Sequence, residues 1–447
     1  SVQDGIRVTV LGTRVGADVT IAGNEILDPG QHAIAVQHGD SDSSGAGYLN
    51  LLVEDNFATG SGVPGDGLYV WTYASSADVD IDAVGNEFTD VIGNGIEILQ
   101  SVYSTSSAGL GNFSAYIVGN TLEASPSSYF DGDGVRVRLS RSAVATGAQG
   151  DVMVDVLDND ITGFGSRGIY VFHSATPSGS APSGTFDANI NGNQIVAGSG
   201  ADGIVVDVGV TDYTYGGGGI PHTIDILGNE MSGVADGVHV NFSAQSYGSG
   251  GGGQSPLTAN IEDNEITRGD YKGTGIRFTA MATASSGQGF DTDLTIRNNR
   301  IANESYAGID VMASFAMSGS GPLGTFDLRV NDNTVTFNPS AGGTAIDVGV
   351  VGNQDGYGAG LTQNLWVQDN TLNMGSYGDG IAVNVNVAQS GSSFDGSTFT
   401  SWIQDNRING DPEFNGTGIE VYFTGSASYF NDGPFVVDHT ITGNRIE

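Results

Sequence analysis

The stretch Ile21-Ala22-Gly23-Asn24-Glu25-Ile26 begins a pattern that recurs until Ile441-Thr442-Gly443-Asn444-Arg445-Ile446. Its asparagine occurs in thirteen copies, which are Asn24, Asn56, Asn86, Asn120, Asn159, Asn193, Asn229, Asn264, Asn299, Asn333, Asn370, Asn406 and Asn444. The copies are about 35 residues apart, and a period in that range indicates a solenoid or a repeat array rather than a globule.

The residue before each of these asparagines is always Gly, Asp or Asn, as at Gly23, Asp55 and Asn298. These residue types adopt a left-handed backbone at the lowest cost. The pattern therefore predicts a strand, a one-residue left-handed corner, an inward asparagine and a second short strand. In stacked coils the asparagines would lie about 4.8 Å apart, so that their amides can hydrogen-bond in a ladder. The alternative is an ordinary turn in a β-propeller or meander, but the repeat carries no Trp-Asp blade signature.

A glycine followed by an alternating apolar run is the second landmark of each copy. Gly95-Ile96-Glu97-Ile98 is one example, and Gly237-Val238-His239-Val240-Asn241-Phe242 is a longer one. Alternation with a period of two indicates a strand with one buried face. A Gly/Ser-rich linker such as 248–253 then precedes the next corner. We predict an all-β parallel β-helix of about 13 coils, each with a protruding Gly/Ser-rich loop, as a single domain over 1–447 without terminal caps.

The alternation of Gly-Ile-x-Val, as in Gly5-Ile6-Arg7-Val8, with Val-x-x-Asn-x-Ile resembles the right-handed parallel β-helix repeats of the pectin-lyase-like superfamily. The resemblance covers essentially the whole chain and implies a right-handed coil, which is also the default hand for parallel crossovers. The superfamily includes polysaccharide lyases, epimerases, glycoside hydrolases, phage tailspikes and surface adhesins. Function must therefore be inferred from sites and not from the fold.

Composition narrows the range of partners and locations. The 447 residues include 51 acidic and 14 basic side chains and no cysteine, and the formal net charge is −37. Nucleic acid and anionic membrane surfaces both require a basic surface, so we exclude them as partners. No run of about 18 apolar residues is present, and we expect no membrane insertion. Salt or divalent cations would screen this acidity, which favours an extracellular or cell-surface protein of a marine or halophilic bacterium.

Alignment of the copies on the glycine landmark predicts one outward row along the long strands, made of Arg136, Tyr170, Val205, His239, Arg277, Asp310 and Asp347. His239, Arg277 and Asp310 would then provide a base, a cation and an acid on three successive coils, which is a candidate catalytic set. The alternative is a solvated strand face, on which polar side chains are ordinary. The Asp-Pro-His-Glu motif of alginate epimerases and the paired-aspartate motifs of polygalacturonases are both absent.

A second candidate site is a row of acidic corners. Asp332, Asp369 and Asp405 occupy the corner position in three successive copies. Calcium prefers carboxylate and carbonyl oxygens and tolerates irregular cages, so these side chains are candidate calcium ligands. The alternative is that aspartate is present only because the corner requires a left-handed backbone.

Three classes of function remain. The leading hypothesis is a non-catalytic structural or adhesive module of a surface protein or filament, because most copies are nearly equivalent. Its partners would be other copies of the chain or neighbouring segments of a longer protein. The alternatives are a polysaccharide lyase, epimerase or hydrolase acting on acidic polysaccharide, and a carbohydrate-binding β-helix without catalysis.

Overall fold

A computed structural model describes the chain except for residues 1–3, 13–14, 40–46, 61–64, 74–76, 105–108, 127–131, 144–148, 180–183, 199, 215–218, 248–254, 270–272, 286–288, 305, 320–322, 340–341, 359, 395, 411–414 and 428–434. The part that it describes contains thirty-nine strands in three parallel sheets. No helix in this part is long and apolar enough to cross a membrane. The prediction of an all-β parallel β-helix is confirmed, whereas the hand of the coil stays a prediction. The 248–253 loop lies outside the described residues.

Sheet 1 is formed by the strands at the second landmark, which is glycine in eleven copies and alanine at Ala33 and Ala345. In order they are β1 (Ile6–Leu11), β4 (Ile34–Gly39), β7 (Leu68–Thr72), β10 (Ile96–Ser104), β13 (Asp133–Ala143), β16 (Arg167–Gly179), β19 (Asp202–Thr214), β22 (Val238–Ser246), β25 (Thr274–Ala284), β28 (Ala307–Met317), β31 (Gly342–Gly358), β34 (Tyr377–Phe394) and β37 (Ile419–Ala427). The landmark is glycine because neighbouring coils approach closely: a Cβ atom at Gly95 would lie 2.6 Å from the carbonyl oxygen of Gly134.

Sheet 2 is formed by the strands that lead into the corners. They are β2 (Gly16–Ala22), β5 (Tyr48–Glu54), β8 (Asp78–Val84), β11 (Phe113–Val118), β14 (Val152–Leu157), β17 (Phe186–Asn191), β20 (His222–Leu227), β23 (Leu257–Glu262), β26 (Thr292–Arg297), β29 (Gly324–Asn331), β32 (Leu361–Gln368), β35 (Thr398–Gln404) and β38 (Val436–Thr442). Their side chains alternate between the buried core and the outer face, as a period of two requires.

Sheet 3 is formed by the short strands after the corners. They are β3 (Glu25–Leu27), β6 (Phe57–Thr59), β9 (Glu87–Val91), β12 (Thr121–Ala124), β15 (Asp160–Thr162), β18 (Gln194–Val196), β21 (Glu230–Val234), β24 (Glu265–Arg268), β27 (Arg300–Glu304), β30 (Thr334–Phe337), β33 (Thr371–Asn373), β36 (Arg407–Asn409) and β39 (Arg445–Ile446). Most contribute one or two apolar side chains to the interior, such as Leu122 and Ile161, whereas Ile446 of β39 is exposed.

The corner between sheets 2 and 3 has the predicted left-handed backbone in every copy. The φ angle lies between 51° and 70° at Gly23, Asp55, Gly85, Gly119, Asp158, Gly192, Gly228, Asp263, Asn298, Asp332, Asp369, Asp405 and Gly443. Only residue types that tolerate this region occupy these positions, which explains why the sequence pattern is so restricted.

By compactness the chain divides into two units. Unit 1 consists of 1–209 with 227–234, and unit 2 consists of 210–226 with 235–447. The expectation of one domain over 1–447 stays a prediction, and the two units are described separately below.

In unit 1 the asparagines from Asn24 to Asn229 form a continuous hydrogen-bonded ladder. The amide of Asn86, for example, donates to Asn120 Oδ1 at 2.9 Å and to the Val53 carbonyl at 2.9 Å. Asn120 Oδ1 also accepts the backbone N–H of Asn86 at 2.9 Å. Because Asn86 and Asn120 are only 1% exposed, these bonds satisfy polar groups that water cannot reach.

Unit 2 contains the same arrangement from Asn264 to Asn444. Its amide-to-Oδ1 distances lie between 2.9 and 3.1 Å. Each amide also donates to a sheet 2 carbonyl, as Asn333 does to Ile296 at 2.9 Å.

We predict that replacing one ladder asparagine destabilises the protein. Asn120→Leu removes the amide and leaves its neighbours' buried groups without partners, which should lower the free energy of unfolding by about 1–3 kcal/mol. The matched control is Asn50→Leu, because Asn50 is exposed and bonds only to Asp18 among the described contacts. That variant should change stability by less than about 0.5 kcal/mol. Equal denaturation midpoints for Asn120→Leu and the parent protein would contradict the prediction.

Candidate functional site

Two parallel rows of side chains lie on the outer side of sheet 1 in unit 1. The outer row consists of successive register partners: Arg7, Ala35, Tyr69, Glu97, Arg136 and Tyr170. The support row lies three residues earlier in each coil and consists of Asp4, His32, Asp66, Asn94, Asp133 and Arg167. Both rows lie at or next to the glycine landmark, so the rigid start of each strand positions them.

The support row is itself hydrogen-bonded from coil to coil. Asp66 Oδ1 accepts the backbone N–H of Asn94 at 2.6 Å and its side-chain amide at 3.0 Å. Asn94 Oδ1 in turn accepts the backbone N–H of Asp133 at 2.9 Å. The support row therefore fixes its side chains against the backbone of the following coil.

Glu97 is the central group of the site. Its side chain is 12% exposed, lies 3.4 Å from Arg136 and hydrogen-bonds to Asp66. Burial raises the pKa of Glu97 to about 7, and the negative charge and hydrogen bond of Asp66 add to the effect, although Arg136 opposes it. A hydrogen bond between the two carboxyls requires a proton, and a pKa of about 7 leaves Glu97 partly protonated near neutral pH.

His32 adjoins this carboxyl pair from the preceding coil. Its Nδ1 lies 3.1 Å from Asp66 Oδ2, and its ring stacks on Tyr69 with centroids 4.6 Å apart and an interplanar angle of 16°. Burial lowers the pKa of His32, but the hydrogen bond and charge of Asp66 and the charges of Asp4 and Glu97 raise it above its ordinary value overall.

The nearby arginines are held by carboxylates. Arg136 lies 3.4 Å from both Glu97 and Asp133. Arg167 makes a two-point contact with Asp133 at 2.8 and 3.0 Å, and its guanidinium lies 3.6 Å from the centre of the Tyr170 ring. Arg7 is paired with Asp4. Each of these three arginines therefore lies beside a carboxyl group, and Arg136 and Arg167 share Asp133.

A cleft of about 240 Å³ opens over β1, β4 and β7, and neither Glu97 nor Asp66 is among its lining residues. The stacked rings of His32 and Tyr69 line it together with Trp71, and Thr9 and Gln37 add polar groups. Trp71 is 39% exposed. Tyr69, which lines the cleft, is the register partner of Glu97 on the adjacent strand.

The candidate catalytic set that was predicted from the sequence lies in unit 2. His239, Arg277 and Asp310 are successive register partners on β22, β25 and β28. Arg277 lies 3.4 Å from Asp310 and 3.3 Å from Asp236, which is not in the row. His239 Nε2 instead hydrogen-bonds to Asn241 on its own strand at 3.0 Å.

His239, Arg277 and Asp310 therefore do not form one hydrogen-bonded set. Arg277 forms ion pairs with Asp236 and Asp310, and His239 bonds to Asn241. The cleft over β1, β4 and β7 and a second cleft in unit 2 include none of the three. Their catalytic role stays a prediction.

Sequence reasoning missed Tyr69, Glu97 and Asp66. Extending the glycine alignment towards the amino terminus would have placed Tyr69 and Glu97 in the same row as Arg136. Asp66 belongs to the support row, which a single-row alignment does not reveal.

The predicted calcium ligands Asp332, Asp369 and Asp405 lie at exposed left-handed corners in unit 2. Among the described residues, no group of three or more His, Cys, Asp or Glu side chains is arranged to hold a metal ion. The calcium site stays a prediction.

Comparison with known proteins finds no matching family model, curated protein or solved structure. The resemblance to the pectin-lyase-like superfamily therefore rests on the repeat motif and on the parallel β-helix fold.

We predict a pH-dependent stability that originates at Glu97. Its pKa is raised from 4.5 to about 7, so its contribution to stability is fully present below pH 4.5 and is lost as the pH rises through 7. One pKa unit corresponds to about 1.4 kcal/mol, reduced here by solvent screening because the carboxyl is partly exposed.

Glu97→Gln should remove this dependence, so that the parent protein loses stability relative to the variant between pH 4.5 and 7. Chemical denaturation at a series of pH values measures the difference. Glu420→Gln is the matched control, because Gly418-Ile419-Glu420 repeats the Gly95-Ile96-Glu97 motif at an exposed position. Parallel pH profiles for the parent and Glu97→Gln would contradict the assignment.

Proposed function

We propose that this chain is an extracellular carbohydrate-active β-helix that hydrolyses glycosidic bonds at Glu97. The observation that carries the proposal is the Glu97 carboxyl, whose pKa is raised to about 7, on the strand next to a cleft with an aromatic wall. A polysaccharide bound along the outer row of unit 1 would pass over Tyr69 and reach Glu97 on the next coil.

Glu97 has the properties of a general acid. Acid catalysis is most efficient when the pKa of the donor lies near the working pH, and the pKa of Glu97 is about 7. In hydrolysis Glu97 would donate its proton to the glycosidic oxygen as the bond to the anomeric carbon breaks. A water molecule would add to that carbon, and the proton that this water loses would restore the acid form of Glu97. Asp66 is a positioning residue that holds this proton in the resting site, and Asn94 holds Asp66 in turn.

The cleft suits a sugar ring. Aromatic side chains such as Tyr69 and Trp71 combine an apolar face with a polar edge, which matches the apolar and hydroxyl-bearing sides of a pyranose. Thr9 and Gln37, which are register neighbours of Trp71 on the two preceding coils, add hydrogen-bonding groups.

The charges at the site favour hydrolysis over elimination. Elimination from a uronic acid requires a cation to neutralise the sugar carboxylate, but Arg7 is paired with Asp4, and Arg136 and Arg167 both lie against Asp133. The net charge of −37 also repels a polyuronate at low salt. A neutral polysaccharide is therefore the favoured substrate class.

The second candidate function is the non-catalytic structural or adhesive module of a surface protein or filament. The regular asparagine ladder within each unit supports it, since such repetition suits a scaffold. Other copies of the chain or adjoining segments of a longer protein would be its partners, and calcium at Asp332, Asp369 and Asp405 would serve it by screening charge.

We predict that incubation with neutral polysaccharides such as glucans, mannans and xylans releases reducing ends without unsaturated products. Glu97→Gln should lower the rate by about 10²–10⁴-fold, the usual contribution of a general acid. The rate of the parent protein should fall as the pH rises above 7, because Glu97 then loses its proton. Glu420→Gln should retain the parent rate.

Three results would overturn the hydrolase proposal: no products from any polysaccharide, unsaturated products from polyuronates, or full activity in Glu97→Gln. The first would favour the structural or adhesive module. The second would favour the lyase that the sequence left open.

A further inference from the structure

Arg141 is a charged residue in the interior of a coil of unit 1. It belongs to β13, on which buried and outward side chains alternate, and it lies on the buried face with Leu139 and Ala143. Only 2% of Arg141 is exposed. Its register partners on the preceding and following coils are Val102 and Ala175, which are both buried and apolar. A guanidinium group therefore occupies a core position that is aliphatic in the neighbouring coils.

Most of the hydrogen-bonding capacity of this guanidinium is unused. Nη2 donates to the carbonyl of Gly111 on the preceding coil, but Nε and Nη1 have no hydrogen-bond partner among the described residues. None of the described carboxylates forms an ion pair with Arg141. Burial lowers the pKa of Arg141 to about 10, although the charge of Asp151 opposes the shift, so the side chain remains positive at neutral pH.

Gln149 provides a second unpaired donor on the same coil. The residue is 5% exposed, and its Nε2 has no hydrogen-bond partner in the described part of the chain. Gln149 precedes Gly150, which stacks so closely on Gly111 that a Cβ atom at Gly150 would collide with the Gly111 carbonyl oxygen. That oxygen is the one to which Arg141 donates. Both unpaired donors therefore lie where the end of β13 faces the start of β14.

A small apolar cluster lies beside these donors. Leu110 occupies the position of Gln149 one coil earlier, and it packs in the core with Val102 and Ala143. Val102 is the register partner of Arg141, and Ala143 follows Arg141 by two residues. The cluster supplies methyl groups and no side-chain acceptor, so it cannot satisfy the unpaired N–H groups.

The charge and the hydrogen-bonding groups restrict what can complete this arrangement. An isolated buried cation is costly unless a countercharge or acceptors offset it. Arg141 Nε, Arg141 Nη1 and Gln149 Nε2 all carry hydrogens to donate. A metal cation would add to the positive charge, a neutral molecule would leave it uncompensated, and a divalent oxyanion would bury an excess of negative charge. A halide ion carries one negative charge and accepts N–H groups from several directions.

We propose that Arg141 and Gln149 form an interior binding site for a halide ion, with chloride as the abundant natural ligand. The ion neutralises the buried guanidinium and connects the end of β13 to the start of β14 through hydrogen bonds. Its role is structural, because the site lies inside the coil and not on the outer face that carries Glu97. The site is independent of the proposed hydrolysis and holds whether or not Glu97 is catalytic.

Chemical denaturation in mixtures of sodium halide and sodium gluconate at constant ionic strength tests the site. A ligand that binds only the folded chain stabilises it. Chloride and bromide should therefore raise the denaturation midpoint above its value in gluconate alone. Above the dissociation constant, the equilibrium constant for folding should rise about tenfold for each tenfold rise in halide concentration.

Arg141→Met removes the charge, keeps a side chain of similar length and should abolish the difference between halide and gluconate. Arg138→Met is the matched control, because Arg138 is an exposed outward residue of the same strand. It should retain the halide dependence of the parent protein. If Arg141→Met does not fold, Gln149→Leu replaces it, since leucine occupies this position one coil earlier at Leu110; this variant should reduce the dependence.

Bromide locates the ion directly in the parent protein. Anomalous diffraction from crystals grown with bromide should show a peak within hydrogen-bonding distance of Arg141 Nε or Nη1 and of Gln149 Nε2. The proposal is overturned if this position holds an ordered water or no bromide. It is equally overturned if the folded Arg141→Met variant, or Gln149→Leu in its place, keeps the full halide dependence of the parent.

Discussion

The hydrogen bond from one asparagine amide to the next is the interaction on which the remainder of each unit depends. Both amide hydrogens are used, one on the following asparagine and one on a sheet 2 carbonyl, and the oxygen accepts twice, as at Asn86 and Asn120. A slip of one residue would replace the inward amide by a neighbouring side chain and leave these buried groups unpaired, at about 1–3 kcal/mol for each. The ladder thereby sets the register of all three strand types in a coil.

The support row of unit 1 also connects side chains to the backbone of a neighbouring coil, but in the opposite direction along the chain. In the asparagine ladder a side chain accepts the backbone N–H of the preceding coil, whereas Asp66 accepts that of the following coil. One carboxylate oxygen of Asp66 is occupied in this way, and the other faces His32. The bond from the Asn94 backbone thus orients Asp66, which in turn hydrogen-bonds to Glu97. Asp66 therefore belongs both to the scaffold and to the proposed catalytic site.

The fold was predictable because its determinants are local. The left-handed corner restricts one position to Gly, Asp or Asn, and the period of two identifies the strands, so both can be found without knowledge of contacts. The glycine landmark likewise predicted that Arg277 lies between His239 and Asp310. It could not predict that Arg277 pairs with Asp236 or that His239 turns to Asn241, because these bonds depend on side-chain reach. The raised pKa of Glu97 depends on its burial and on Asp66, which lies in another row and on another coil. An alignment of single repeats shows neither of these influences.

Each coil contributes one residue to the outer row, and this limits where repeats can be gained or lost during evolution. His32, Asp66 and Glu97 come from three consecutive coils and touch only because no further coil lies between them. Duplication or loss of a whole repeat elsewhere in the chain would preserve the corners, the asparagine ladder and the glycine landmark. It would also leave His32, Asp66 and Glu97 in contact. An insertion between β4 and β10 would separate them by at least one more strand spacing, about 4.8 Å. Gene-level variation in repeat number should therefore be tolerated widely but be selected against within this short segment.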